Sequence, residues 1–377
     1  MAKPAAGPAA VMLMYRIPVQ VGGGRDYTIS IGMGLSALLP REIKAISRSC
    51  RVFVVTTRRV AEHHLGKWLE GMEKRGVEVG VLFMPVGERA KNLGIWSRLL
   101  REIAADDDER DVVVAAFGGG VVGDVAGFVA ATYRRGVPYV QVPTTLVGFV
   151  DSSVGGKTGV DLPEGKNLVG AFHQPRAVII DLDFLDTLPA REFRAGCAEV
   201  IKCGAALDGG LFRYLEEKHE EIRRRERAAV AYIVKRCCEL KAMVVGRDER
   251  DELGIRAKLN FGHTFAHAFE AAGGYGRYRH GECVGVGMLC AGEISMELGM
   301  LSRNDFSRVE ETVRRAGLPR RLEKLDTGDV MDFMRRDKKF RGGRSRFVLL
   351  RGIGRSVVME GVPEALVRTA VRRRLRP

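Results

Sequence analysis

Residues 112–133 read VVVAAFGGGVVGDVAGFVAATY. The apolar run Val112 to Phe117 predicts a strand covered on both faces. It runs into three glycines, and the apolar spacing from Val125 to Tyr133 predicts a helix. Gly118, Gly120 and Gly123 satisfy G-x-G-x-x-G at this strand-to-helix turn. Glycine there lets a pyrophosphate approach the backbone, and the first amides of the helix favour its charge. The spacing alone is a weak signal, because 46 of the 377 residues are glycine. Its position between a strand and a helix gives it weight. Two features depart from the commonest dinucleotide-binding arrangement. The turn is not in the first β-α unit, and no acidic residue ends a strand about twenty positions on.

Working outward, VQVGGGRDYTISIG (residues 19–32) alternates around a glycine turn and predicts a β-hairpin. Further strands are expected at 51–56, 79–84, 139–142 and 177–181, with helices at 60–74 and 91–105. Strands alternating with helices imply a parallel sheet covered on both faces. Beyond Leu188 the β pattern stops, and helical periodicity is expected at 190–204, 210–245, 257–272, 281–299 and 305–315. Strand character returns at 346–359. The expected fold is an α/β Rossmann-like parallel-sheet domain, 1–187, followed by a mostly α-helical domain, 188–377. A chain of this length exceeds one hydrophobic core.

Composition bounds the function classes. No apolar run is long enough to span a bilayer, and Met1 to Met14 makes a poor signal peptide. Seven cysteines without a C-x-x-C imply reduced thiols in a cytoplasmic protein. The net charge of +14 includes basic helical faces such as Arg223-Arg224-Arg225 and Arg372-Arg373-Arg374. No basic-aromatic module accompanies them, so nucleic acid is not the expected partner. Lysines inside glycine-rich loops are a different matter, and read as anion ligands. The stretch 151–167, DSSVGGKTGVDLPEGKN, is expected to be a long polar loop whose Lys157 and Lys166 favour a phosphate- or carboxylate-bearing substrate. It is not a P-loop, since Asp151 stands where that pattern needs glycine. Glu88 and Lys91, before the second helix, and Thr144-Thr145, after a strand, lie where ligands collect in a parallel sheet. Each is equally well a helix cap.

Three polar islands follow in the helical half: Glu199 in AEVIK, His263 in LNFGHTFAHAFE, and His280 in HGE. Two imidazoles and a carboxylate form the ligand set of a catalytic metal site that keeps a position open. Glu199 and Lys202 share a helix face with apolar flanks, which predicts a buried pair. His263 and His267 share a face on the helix expected at 257–272, with Asn260 one turn before and Glu270 after. A lone histidine is more often a core residue; the set is harder to dismiss. A metal that polarises a hydroxyl, beside a nicotinamide, implies redox chemistry at a secondary alcohol.

GGGVVGDVAGF, YRRG, PTTL, VDSSVGGKTGV, GKNLVGAF, AEVIKCG, LNFGHTFAHAFE and HGE, in this order, resemble the 3-dehydroquinate synthase family of sugar-phosphate cyclases. The resemblance covers roughly residues 15 to 360. It implies a cytoplasmic, often homodimeric enzyme of the shikimate pathway that uses NAD and a divalent metal, zinc or cobalt. The implied reaction turns a small anionic sugar phosphate, 3-deoxy-D-arabino-heptulosonate 7-phosphate, into 3-dehydroquinate and phosphate. It proceeds by transient C5 oxidation, phosphate elimination, re-reduction, ring opening and an intramolecular aldol. By position, Glu199, His263 and His280 hold the metal. Substrate contacts fall to Arg135, Asp151, Lys157, Lys166, Asn167, Lys202, Lys241, Glu252, Arg256, Asn260 and His267. Of these, His267, Lys202, Lys157 and Asn260 are the catalytic candidates. NAD contacts fall to Glu88, Lys91, the turn Gly119, Gly120, Val121, Val122, Gly123 and Asp124, then Thr144, Thr145, Lys157, Lys166, and Phe184, Leu185, Asp186 and Thr187. The acidic stretch before Arg256 is one residue longer than usual, so Glu252 rather than Asp251 is a choice. Thr56-Thr57-Arg58-Arg59 offers no acid for a ribose, so NAD over NADP rests on the resemblance. The Lys338-Lys339 pair receives no role. The alternatives are a cyclase acting on sedoheptulose 7-phosphate and an NAD- and metal-dependent polyol dehydrogenase. The second has little use for so many cations.

Overall fold

The computed structural model describes residues 12–336 and 346–376, so Lys338 and Lys339 lie outside the described residues. The chain divides into two compact units, Met1–Leu188 and Pro189–Pro377.

The first unit is built on strands β1 (Met12–Val19), β2 (Tyr27–Met33), β3 (Cys50–Thr56), β4 (Glu78–Phe83), β5 (Asp111–Gly118), β6 (Tyr139–Pro143), β7 (Lys157–Leu162), β8 (Gly165–Phe172) and β9 (Ala177–Asp181). Its helices are α1 (Leu39–Ile46), α2 (Arg58–Glu73), α3 (Leu93–Ala105) and α4 (Gly120–Thr132). Seven strands form one sheet in the order β1-β2-β9-β6-β5-β3-β4. Only β1 with β2 is antiparallel, the expected hairpin. β5 is buried from Val112 onward because it lies between β3 and β6, covered on both faces. The chain runs from β3 outward to β4 and returns to β5 on the other side of β3. That reversal places the carboxyl end of β5, and its glycine turn, at a topological switch point. Phe53, Val55, Leu99, Ile103, Val114, Val125 and Tyr139 form the core around it. Each large apolar side chain there contributes roughly 1.5–3 kcal/mol by leaving water.

The second unit contains α5 (Ala190–Leu207), α6 (Gly209–Glu217), α7 (His219–Arg223), α8 (Arg227–Arg247), α9 (His263–Ala272), α10 (His280–Glu297), α11 (Arg303–Arg315), α12 (Thr327–Arg336) and α13 (Glu364–Arg373). Short strands β10 (Leu322–Glu323) and β13 (Leu375–Arg376) pair, and β11 (Arg346–Gly352) with β12 (Arg355–Glu360) makes the second hairpin. Among the described residues no helix is long and apolar enough to cross a membrane. All seven cysteines are buried and free.

Four expectations are corrected. α4 starts at Gly120, not Val125, because the glycine turn is itself the first helical turn. The supposed loop at 151–167 is largely a hairpin: one wide turn, Gly148–Ser152, leads into paired β7 and β8. Gly159 and Gly165 belong to strands, while Gly155 and Gly156 (φ 104° and 68°) turn the chain into β7. A Cβ on Gly159 would lie 2.4 Å from the Val169 carbonyl oxygen, so the strand glycine permits close strand contact. The expected helix 210–245 is three helices, broken at Lys218 and around Arg225, whose φ is 59°. The helix expected from 257 starts at His263. Asn260 sits on a separate 3-10 turn, Ile255–Asn260, and Gly262 (φ 81°) redirects the chain between them.

Candidate functional site

In the helical unit, Glu199 lies in a stretch of α5 that is buried from Ala195 to Ala206. A carboxylate with no exposed surface is costly unless it meets compensating charge. Lys202, one turn on and equally buried, brings Nζ to 2.5 Å from its Oε2. His280 Nε2 is 3.3 Å and His263 Nε2 3.8 Å from its Oε1. These are electrostatic contacts, for neither Glu199 oxygen has a hydrogen bond of good geometry. One ligand atom from each of Glu199, His263 and His280 lies within 4.8 Å of the others. An ion with bonds of about 2 Å would draw such a set together.

The three converge because two glycines of α10 allow it. A Cβ on Gly281 would fall 1.9 Å from the Ala195 carbonyl oxygen, so α10 touches α5 just beyond His280. A Cβ on Gly287 would fall 2.2 Å from the Gly262 carbonyl oxygen, beside His263. Arg191 on α5 forks onto Glu282 at 2.7 and 2.8 Å, fixing the start of α10.

Both imidazoles are oriented through their far nitrogens. His263 Nδ1 is 3.4 Å from the Phe261 carbonyl oxygen, and His280 Nδ1 is 3.3 Å from Glu270 Oε1. A hydrogen bond there points each Nε2 at Glu199. Burial opposes charge on His280, but the Glu270 and Glu199 carboxylates outweigh it and push the imidazole up to about 10. Burial likewise opposes charge on Glu199, yet Lys202, His263 and His280 hold it well below the usual carboxylate range. The pocket thus favours a positive charge at its centre, whether a proton or a metal ion. The sequence places Glu270 beside the histidines without giving it a role; its contact with His280 supplies one. The signal for that role was its place two turns beyond His263 on one helix face.

His267 is half-buried, with its ring 5.7 Å from that of His263 and 6.3 Å from that of His280. Lys241 on α8 and Arg256 are buried, and the turn Ile255–Asn260 packs on α5 and α8. Asp248 shapes the loop before it by accepting the amides of Glu252, Leu253 and Ile255 at 2.9, 3.1 and 2.9 Å. Arg256 Nη1 donates to the Glu249 carbonyl at 2.7 Å. Glu252 itself is exposed in that loop.

In the α/β unit, Lys91 is buried with Nζ 2.5 Å from Asp124 Oδ2 and a hydrogen bond to Asn167 Oδ1. Lys166 Nζ is 3.0 Å from Glu88 Oε1. Asp161, which sequence reasoning did not single out, accepts the Asn167 amide at 2.8 Å. Five expected residues therefore form one cluster beside the start of α4. Burial opposes the Lys91 charge, but Asp124 and Glu88 overcome it and raise its pKa.

The glycines divide by cause. A Cβ on Gly118 would meet Val122 at 2.6 Å and one on Gly123 would meet Gln141 at 2.8 Å, so both are required by packing. Gly119 and Gly120 are half-buried at the helix start, where amides can receive a phosphate. Val121 is half-buried too, whereas the Val122 side chain belongs to the core. Thr144 donates its amide to Gly118, and the Thr145 hydroxyl accepts from Gly148 at 3.0 Å. Asp151 lies half-buried in the turn that follows. Thr187 Oγ1 is 2.7 Å from His64 Nε2, and the Phe184 ring is 4.8 Å from the His64 ring. His64 carried no motif and went unnoticed. Leu185 is buried, while Asp186, Lys157 and Arg135 are exposed.

The sequence matches the 3-dehydroquinate synthase N-terminal family over residues 81–195 and the C-terminal family over 196–340. It is 46% identical over 348 residues to the 3-dehydroquinate synthase of Acidithiobacillus ferrooxidans, covering 92% of this chain and 94% of that one. The 2-epi-5-epi-valiolone synthase of Streptomyces hygroscopicus subsp. jinggangensis, solved with NAD+ and Zn2+ bound, superposes with a TM-score of 0.84 at 28% identity, over 92% of this chain and 96% of that one. A 2-deoxy-scyllo-inosose synthase complexed with carbaglucose-6-phosphate, NAD+ and Co2+ gives a TM-score of 0.85 at 25% identity, over 96% of this chain and 100% of that one. The chain belongs to the 3-dehydroquinate synthase family.

Proposed function

We propose that this chain converts 3-deoxy-D-arabino-heptulosonate 7-phosphate into 3-dehydroquinate and inorganic phosphate, with NAD and one divalent metal ion as cofactors. The observation that carries the reading is the buried Glu199 carboxylate, whose oxygens lack a well-formed hydrogen bond and face two imidazoles. Such a donor set fits zinc or cobalt. When bound, the metal acidifies a secondary hydroxyl and NAD reversibly accepts its hydride, so the cofactor is not consumed.

The remaining work falls to the chain itself. Glu199, His263 and His280 are assigned to the metal, with Glu270 orienting His280. In the helical unit, Lys202, Lys241, Arg256 and Asn260 are assigned to hold the substrate, with Glu252 at its periphery. His267 would move the proton at the C5 hydroxyl or steady the phosphate. In the α/β unit, Lys157, Lys166, Arg135, Asp151 and Asn167 are assigned to the substrate's anionic groups. Glu88, Lys91, Asp124, the amides of Gly119 to Gly123, Thr144, Thr145 and Phe184 to Thr187 are assigned to NAD. The leaving phosphate can take the proton for its own elimination, which leaves positioning as the main task of the protein. A homodimer in a reducing, cytoplasmic setting extends the same reading, and seven free, buried thiols agree with it.

Substrate choice within the cyclases turns on charge. Sedoheptulose 7-phosphate lacks the carboxylate, and would leave buried cationic donors unpaired at a cost on the order of several kcal/mol. The test is dialysis against a chelator followed by a phosphate-release assay. Release should stop, then return with zinc or cobalt in the presence of NAD. Turnover that survives complete metal removal would contradict the proposal.

A further inference from the structure

Thr56-Thr57-Arg58-Arg59 ends β3 and opens α2, and none of the roles above uses it. β3 adjoins β5 with Val55 opposite Ala116, so two residues on Thr57 stands level with Gly118 and the glycine turn. On the other side Thr56 stands opposite Phe83, the last residue of β4, beyond which come Glu88 and Lys91. The segment therefore lies between two groups assigned to the dinucleotide. Further along α2, His64 contacts Thr187 and Phe184 of a third such group.

On that assignment, the segment meets the adenosine end. Lys157, Lys166 and Asn167, assigned to the substrate, all stand on the hairpin β7–β8, which packs on α4. Hydride transfer sets the nicotinamide against the substrate. α2 covers the opposite face of the sheet, for its Trp68 stacks on Phe117 whereas Ala116 packs in the core with Val122 and Val125 of α4.

Beside a glycine turn of this kind, an acid ordinarily takes the hydroxyls of the adenosine ribose, and an arginine accommodates a 2′-phosphate. Here the acid is missing and two arginines are present. Both are exposed, and among the described residues neither has an ion pair. The Arg58 guanidinium rests 5.0 Å from the centre of the Phe83 ring, which holds it over the end of β4 without neutralising it. Both cations stand in the first turn of α2, which has no acid, although the dipole of a helix disfavours cations at that end and favours an anion. The Thr56 hydroxyl, wholly buried at the end of β3, has no hydrogen-bond partner. The strand end is thus unfinished in its polar contacts as well as in its charge.

We propose that Arg58 and Arg59 seat a 2′-phosphate on the adenosine ribose, so that the chain binds NADP as well as NAD. The planar guanidinium fork matches a phosphate and keeps its charge at any working pH. The seat rests on the assignment of the glycine turn to a nicotinamide dinucleotide.

Calorimetric titration of the metal-loaded full chain with NAD and with NADP tests the proposal. One molecule of either should bind per chain, with NADP as tight as NAD to within roughly threefold, or tighter. Arg58→Gln combined with Arg59→Gln should weaken NADP by roughly tenfold or more and NAD by less than roughly twofold. Arg59→Glu is a second, independent variant that restores an acid at the strand end. It should weaken NADP further than the double substitution does while NAD stays bound. Binding of NAD with NADP weaker by more than roughly threefold overturns the seat and leaves the NAD assignment standing. Equal losses of both dinucleotides in the variants, or undiminished NADP binding in them, also overturn it. Binding of neither dinucleotide removes the NAD assignment itself, and the seat with it.

Discussion

Each unit buries a lysine against a carboxylate at 2.5 Å, Lys91 with Asp124 and Lys202 with Glu199. The two pairs are completed differently. Lys91 also bonds Asn167, Asp124 keeps part of its surface in water, and Lys166 with Glu88 adds a second pair nearby. Glu199 has no exposed surface, and its oxygens face the Nε2 atoms of His263 and His280. The first cluster is finished by the protein's own groups, so it works as a preformed cradle. The second brings Glu199, His263 and His280 into a set that could hold a cation. On the proposed reading, one carboxylate-lysine pair serves rigidity, while the other, already balanced in part by Lys202, would also take an ion.

Glu199→Gln should sharpen this contrast most. It removes the charge the cation needs, so metal occupancy after dialysis should fall below detection. Turnover should drop by more than the roughly 100-fold that loss of an outer-shell partner produces. Full metal content in the purified variant would break the comparison. Glu270→Gln should act in the same direction but less, weakening metal affinity by roughly 10- to 100-fold as His280 loses its orienting acceptor. Competition with a chelator measures this, and an unchanged affinity would assign Glu270 to packing alone.

Lys91→Met tests the other half of the contrast. It strands Asp124 and Asn167, so denaturant unfolding should show a loss of about 3 kcal/mol, with metal content intact. A loss of metal instead would mean that the two clusters are not the separate devices described here. The smallest effect belongs to His173, which lies in neither pair. Burial outweighs its bond to the Val137 carbonyl, 2.9 Å away, and holds the imidazole below its usual range. Its contribution to stability is therefore full above about pH 6.5 and is lost as pH falls through the lowered folded value. His173→Gln should flatten that acid-side decline in urea midpoint; an unchanged slope assigns the decline to other groups.

The contrast also marks what the sequence disclosed. β3, β5 and the hairpin β1–β2 were legible because their apolar patterns have strand period and their neighbours are local. So were Glu199, His263 and His280, because each sits in a short motif whose residue types have few uses. The hairpin β7–β8 was hidden because its glycines resemble loop residues, and only the facing strand reveals that they permit contact. The break at Gly262 was hidden because apolar spacing continues across it. Glu270 opposite His280, Asp161 opposite Asn167 and His64 opposite Thr187 depend on contacts that no local pattern encodes.

The measurement that bears most directly on the function is a product balance on purified, metal-loaded enzyme. The heptulosonate phosphate and sedoheptulose 7-phosphate are supplied side by side with NAD well below substrate concentration. The expected result is 3-dehydroquinate and phosphate in equal amounts, many turnovers per NAD, no accumulating NADH, and little product from sedoheptulose 7-phosphate. NADH rising in step with substrate loss would contradict the cyclase reading in favour of a simple dehydrogenase, and comparable turnover of both sugars would contradict the substrate assignment.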